Sequence, residues 1–271
     1  TTNAAFAGEG KEPISPESIS EWGHTCKKED FKTYVGTVEG CIALIKLGQV
    51  NKNKKKLMIF LHGDRKSRSD YKIKKQWNFS SVTNSEKENI NFFYLARPGH
   101  KFASRTRSPG KYKNYEVLNK RKERVRFKKG WESNRLIAQA LYRLKEFYKP
   151  DQLIVIGFSG GSNDIGVLNG KVPGLIDIAI MGGCDCFPRG GMRGQYWYPG
   201  EFIKQIHSKT KIILITGEND IRHADYPLMA KRYEKSAKEL GLNVKAHIVK
   251  GGHENAALLV YGREIIEEAL K

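Results

Sequence analysis

Hydrophobic and polar positions fall into blocks along this chain, and the period of the pattern changes from block to block in a regular order. Residues 1–30 are polar, carry Pro13 and Pro16 and show little periodicity, which predicts a leader or a strap across a surface. Residues 31–38 and 41–47 are two β-rich runs separated by Glu39-Gly40, the pattern of a hairpin with a tight turn. The basic run 52–56 reads as a solvated loop. Residues 57–61 (LMIFL) are then continuously apolar, as in strands buried on both faces of a mostly parallel sheet. Runs of the same kind recur at 91–96, in LIVIGF from Leu153, and at 175–181, 211–216 and 244–249. Between them lie helical patterns. Residues 132–148 put Leu136, Ile137, Ala140, Leu141, Leu144 and Phe147 on one stripe that Pro150 stops, and a second helix is expected near 227–240.

Strands that alternate with helices after an initial hairpin predict an α/β protein with right-handed parallel crossovers. At 271 residues the chain can bury a full core, and we read 31–271 as one domain behind the leader or strap 1–30. Its least regular part is a basic insertion at about 101–130, with Tyr112, Tyr115 and Phe127 among its lysines and arginines. That insertion is either an anion-binding lid or a long solvated excursion. Residues 184–200, rich in Gly, Arg and aromatics, are a second candidate for lining a pocket.

Charge widens the list of partners without choosing among them. The 48 Lys and Arg against 29 Asp and Glu give a formal +19, which would draw anionic substrates, nucleic acid, an anionic membrane or a cell wall. Lysine-rich composition accounts for the same number as solvated surface, and no nucleic-acid module accompanies it, which weighs against nucleic acid. No apolar run approaches the length of a membrane span. Ala5-Phe6-Ala7 before Gly8 is similar to the small-residue end of an export signal, so a periplasmic or secreted location is expected, with an ordinary leader and a cytoplasmic location as the alternative. Four cysteines, Cys26, Cys41, Cys184 and Cys186, permit two disulfides in an oxidising compartment. Cys26 with Cys41 could tie the amino-terminal segment to the hairpin, whereas Cys184-Asp185-Cys186 is too close for a relaxed bridge, although strained bridges of that spacing exist. The paired spacing of a structural zinc site is missing, so no metal is assigned.

The chemistry is concentrated where strands end. Gly157-Phe158-Ser159-Gly160-Gly161 fits G-x-S-x-G between a strand and helix-compatible residues, the nucleophile elbow pattern. Small residues two before and two after the serine let so sharp a turn close. The Gly160 N–H, at a helix N-terminus, offers one oxyanion donor. A second donor is expected in His62-Gly63-Asp64, from the N–H of Asp64, with Arg65 as runner-up and His62 as a structural hydrogen-bonding residue. A serine hydroxyl needs a base, and the base needs a carboxylate to hold its tautomer. Asp220, after the penultimate strand, and His253, after the last, supply them in the chain order Ser, acid, His. His223 and His247 compete as base, and Glu218, Asp225 and Asp185 as acid.

Taken together, FLHGD (60–64), ARPG (96–99), GFSGG (157–161), TGEND (216–220) and GGHE (251–254) resemble an α/β-hydrolase fold serine hydrolase over about 31–271. The resemblance implies a mostly parallel central sheet of about eight strands with helices on both faces. It further implies Ser159 as nucleophile, His253 as general base and then acid, Asp220 as its orienter, backbone N–H groups of Gly160 and Asp64 as oxyanion hole, and no cofactor. The expected reaction is acyl transfer to water from a small-molecule ester. The alternatives are a peptidase similar to the prolyl oligopeptidase catalytic domain, acting on peptides, and a non-catalytic polyanion-binding protein on the same scaffold.

Overall fold

The computed structural model describes residues 10–63, 89–100, 108, 116–118, 124–126, 131–188, 197–221, 225–254 and 257–270. In chain order the strands are β1 (Tyr34–Thr37), β2 (Gly40–Leu47), β3 (Lys56–Leu61), β4 (Ile90–Leu95), β5 (Glu116–Leu118), β6 (Arg124–Arg126), β7 (Gln152–Phe158), β8 (Ile178–Gly182), β9 (Lys211–Gly217) and β10 (Val244–Val249). The helices are α1 (Trp131–Tyr148), α2 (Gly160–Lys171), α3 (Tyr226–Lys238) and α4 (Arg263–Leu270). Eight strands make one sheet in the order β1-β2-β4-β3-β7-β8-β9-β10. The β1/β2 and β2/β4 pairs are antiparallel and the other pairs of this sheet are parallel.

The unbroken apolar runs follow from burial on both sides. In β3, Leu57, Ile59 and Leu61 face one core layer, with Leu136 and Leu141 of α1, Ile165 and Leu168 of α2 and Tyr233 of α3. Met58 and Phe60 face the other, with Ile154 and Ile156 of β7, Ile213 and Ile215 of β9 and Ile266 and Leu270 of α4. Period-2 alternation is therefore present in space but invisible in the letters, because both faces want apolar side chains.

Three local expectations need correction. The two-residue hairpin turn is Val38-Glu39, one residue before the expected Glu39-Gly40, since Thr37 pairs with Gly40. Buried Gln139 of α1 accepts the Val38 N–H at 2.8 Å, and Gly40, at φ 132°, enters the strand in a conformation that suits glycine. The strand expected from residue 175 begins at Ile178, because the Leu175 N–H turns back to the Val172 carbonyl and the Asp177 carboxylate accepts from Leu153 N–H and the Lys145 ammonium. Helix α4 was not read from the sequence at all. Its signal, Ile265, Ile266, Ala269 and Leu270 at helical spacing, is only eight residues long.

The segment before β1 is held by specific bonds. Gln139 donates to the Trp22 and Gly23 carbonyls, Ile19 and Trp22 are buried, and the fully buried Lys171 ammonium donates to the Gly10 and Glu12 carbonyls. A disulfide joins Cys26 to Cys41. Glu29 receives Arg143 at both carboxylate oxygens and the Gly36 N–H at 2.7 Å. Burial alone would raise the Glu29 pKa, but the Arg143 and Gly36 hydrogen bonds outweigh it and leave it lowered. A lowered folded pKa means stability that is present above the unfolded value and lost as pH falls through the folded one. Glu29→Gln is therefore expected to cost about 1 kcal/mol at pH 7 in urea unfolding, with the difference from wild type shrinking in acid.

Cys184 and Cys186 are also bonded to each other. Their Cα atoms lie 5.2 Å apart, an ordinary disulfide span. The left-handed Gly183 (φ 55°) and the Asp185 N–H donated to Asn163 Oδ1 at 2.9 Å bend the chain just after β8.

Candidate active site

The parallel register brings the carboxyl ends of five strands level. Leu61 pairs with Gly157, Gly157 with Met181, Gly182 with Ile215, and Gly217 with Val249. Side chains just beyond those ends meet at one edge of the sheet, where open α/β proteins place their sites.

Ser159 stands between β7 and α2 at φ 53°, ψ −117°, a backbone conformation that costs a non-glycine residue about 1–3 kcal/mol. Close packing holds it there. A Cβ on Gly157 would lie 2.6 Å from the Gly161 carbonyl carbon, and one on Gly161 would lie 2.2 Å from the Leu61 carbonyl oxygen. The Ser159 N–H is taken by the Gly182 carbonyl at 2.8 Å, and the Ser159 carbonyl accepts from Asn163 N–H and from Ser162 Oγ. Gly160 opens α2, so its N–H has no acceptor within the helix and lies at the positive end of the helix dipole.

His253 Nε2 lies 3.0 Å from Ser159 Oγ, and its Nδ1 lies 3.0 and 2.8 Å from the two oxygens of Asp220, which is 1% exposed. A carboxylate only accepts, so the ring proton is on Nδ1 and Nε2 is left to accept from the serine hydroxyl. The loop that carries His253 is partly exposed, yet its ring is held between Phe158 (centroids 5.1 Å apart) and Tyr226 (4.8 Å). Gly183 closes the remaining side, because a Cβ there would lie 3.0 Å from His253 Cε1 and 3.4 Å from Asp220 Oδ2.

Ser159, Asp220, His253 and Gly160 are thus brought together, whereas Asp64 and Arg65 lie outside the described residues, as does His223. His247 is on β10, where burial lowers its pKa and Lys245, Glu234 and Glu268 are the charges around it. Asp225 caps α3 by accepting the Leu228 N–H at 2.9 Å, and Glu218 is exposed. The Asp185 N–H is spent on Asn163, and it is Asp220 that accepts from His253 Nδ1. The pocket-lining reading of residues 184–200 falls partly outside the description, at 189–196, and the lid reading of 101–130 does so except at Ser108, β5 and β6. Sequence reasoning missed Gly183, Phe158 and Tyr226 as supports of His253. Only Gly183 had a signal, as half of the Gly-Gly pair at the end of β8. Among the described residues no cluster of three or more His, Cys, Asp or Glu could hold a metal ion, and no helix is long and apolar enough to cross a membrane.

A mostly parallel eight-stranded sheet with an antiparallel start and a strand-turn-helix serine define the α/β-hydrolase fold. Among solved structures, an esterase of Pyrococcus furiosus superposes with a TM-score of 0.58 at 14% identity, over 96% of this chain and 95% of that one. Est1E of Butyrivibrio proteoclasticus, solved with ferulic acid bound, gives 0.53 at 16% identity over 85% of this chain and 93% of that one. An acylaminoacyl peptidase of Pyrococcus horikoshii gives 0.52 at 16% identity over 80% of this chain, which spans only 36% of the peptidase. No family model and no curated protein matches the sequence.

Proposed function

We infer that this protein is a serine hydrolase that cleaves carboxylic esters through an acyl-enzyme. The observation that carries the reading is the hydrogen-bonded line Asp220, His253, Ser159, with its tautomer set by a buried carboxylate. In the first half-reaction Ser159 Oγ attacks the acyl carbon as its proton passes to His253 Nε2. The oxyanion that forms is met by the Gly160 N–H and a second backbone donor, one such donor being worth about 10²–10³ in rate. Collapse expels the alcohol, which takes the proton from His253. Water then repeats the sequence on the acyl-enzyme and releases the acid and free Ser159.

An ester is favoured over a peptide because the esterase likeness extends over nearly the whole of both chains. We propose a periplasmic or extracellular location, a reading supported by the two disulfides, which suit an oxidising compartment. The test is hydrolysis of p-nitrophenyl esters of increasing acyl length, with fluorophosphonate labelling, on wild type and Ser159→Ala. Turnover and labelling at Ser159 by the wild type alone are expected, and the best chain length sizes the pocket. Labelling without ester turnover would shift the substrate to peptides. No labelling, with retention on heparin, would leave a polyanion-binding protein.

A further inference from the structure

Gly63, at the exit of β3, packs against the elbow: a Cβ on it would lie 3.2 Å from Ser159 Cβ and 3.3 Å from the Phe158 carbonyl oxygen. Glycine there has no side chain with which to hold its own position. What holds it is a buried polar network that the triad does not use. Arg97, two residues beyond β4, donates from Nε to Asp164 Oδ2 at 2.6 Å and from a terminal nitrogen to the His62 carbonyl at 3.0 Å. Its backbone N–H donates to His62 Nε2 at 3.2 Å. Since Nε2 accepts, the neutral ring carries its proton on Nδ1, and Nδ1 donates to the Gly63 carbonyl at 2.9 Å. Arg97, Asp164 and His62 are each no more than 5% exposed.

Asp164 lies in the second turn of α2, the helix that follows Ser159, so one guanidinium joins the exit of β3, the exit of β4 and the helix behind the nucleophile. Burying a charged pair is costly, and an apolar pair of the same size would stabilise a core as well. What an apolar pair could not do is aim a backbone. These hydrogen bonds fix the His62 and Gly63 carbonyls, and with them the face that Gly63 presents to Ser159.

We propose that His62, Arg97 and Asp164 are positioning residues that hold Gly63 and the start of α2 against the elbow, so that Ser159 keeps its place and conformation as the tetrahedral adduct forms on its Oγ. The proposal rests on the acyl-transfer reading above. It predicts a loss in transition-state binding with substrate binding spared, which a packing defect would not produce.

The test uses p-nitrophenyl butyrate as substrate and n-butylboronic acid as a tetrahedral-adduct inhibitor. Removing only one charge would strand the other and could unfold the protein, so both are replaced, in Arg97→Met/Asp164→Leu. Relative to wild type this variant is expected to lose about 100-fold in kcat with KM within about twofold, and to weaken the boronate by a similar factor, at a thermal midpoint near wild type. At His62 the pair His62→Leu and His62→Asn separates bonding from bulk. Asparagine keeps a donor near the position of Nδ1, so it should retain most of the activity that leucine loses. A double variant with wild-type kcat overturns the proposal, as does equal loss in both His62 variants. In that case Ser159→Ala is still dead and wild type still labels, so the hydrolase reading stands. If wild type neither labels nor turns over, both fall together.

Discussion

Ser159→Ala is expected to lower kcat/KM for an ester by about 10⁶-fold, and His253→Ala by nearly as much, because in the proposed mechanism nucleophile and base act as a unit. Asp220→Asn should cost less, about 10⁴-fold, since the base and nucleophile persist while the tautomer is lost: an amide can present an N–H to Nδ1 and push the ring proton to Nε2. The Ser159→Ala/His253→Ala double variant should be no worse than either single one. Single-turnover kinetics on all four proteins checks this, and additive losses would mean that the serine and histidine do not share one step. Folding is not expected to suffer in Ser159→Ala, because the strained turn is held by its glycine neighbours and not by the hydroxyl.

The second large effect falls on stability. Gly161→Ala is expected to destabilise the fold by about 3 kcal/mol or more, read as a lowered urea midpoint, since overpacking against main chain cannot relax as overpacking against a side chain can. The new methyl would meet the Leu61 oxygen at 2.2 Å, its carbon at 2.7 Å and the His62 oxygen at 2.8 Å, all of them backbone at the end of the central strand β3 or just beyond it. Gly183→Ala is a useful contrast. Its methyl would touch His253 and Asp220, at a residue already at positive φ, so activity should fall with a smaller loss of stability. Equal midpoints for Gly161→Ala and wild type would show that the β3 and α2 backbones can separate, contrary to the packing described here.

Some features could be read from the letters because one local rule governs each of them. A continuous apolar run such as LMIFL, buried on both faces, forecasts a central strand, and β10 was forecast at its observed bounds. The glycine spacing around Ser159 and the order Ser159, Asp220, His253 were legible because the elbow is a five-residue device and strand ends recur at known intervals. The hairpin turn was misplaced by one residue because a long-range bond from Val38 to Gln139 outweighs the local preference for Glu-Gly. The bridge between Cys184 and Cys186 was left open by the letters, because spacing in sequence says nothing of the bend that Gly183 and Asn163 impose.

The sequence by itself determined the α/β order of elements, the elbow and the list of groups able to do acyl transfer, since these depend on side-chain type and short-range periodicity. Tertiary structure decided which histidine and which carboxylate meet the serine, and how they are held. Asp220 is chosen over Asp185, Asp225 and Glu218 by burial and by 2.8 Å to His253 Nδ1, and His253 is clamped by Phe158, Tyr226 and Gly183. Each of those contacts joins residues tens of positions apart, and only the parallel register of β3, β7, β8, β9 and β10 brings them to one edge.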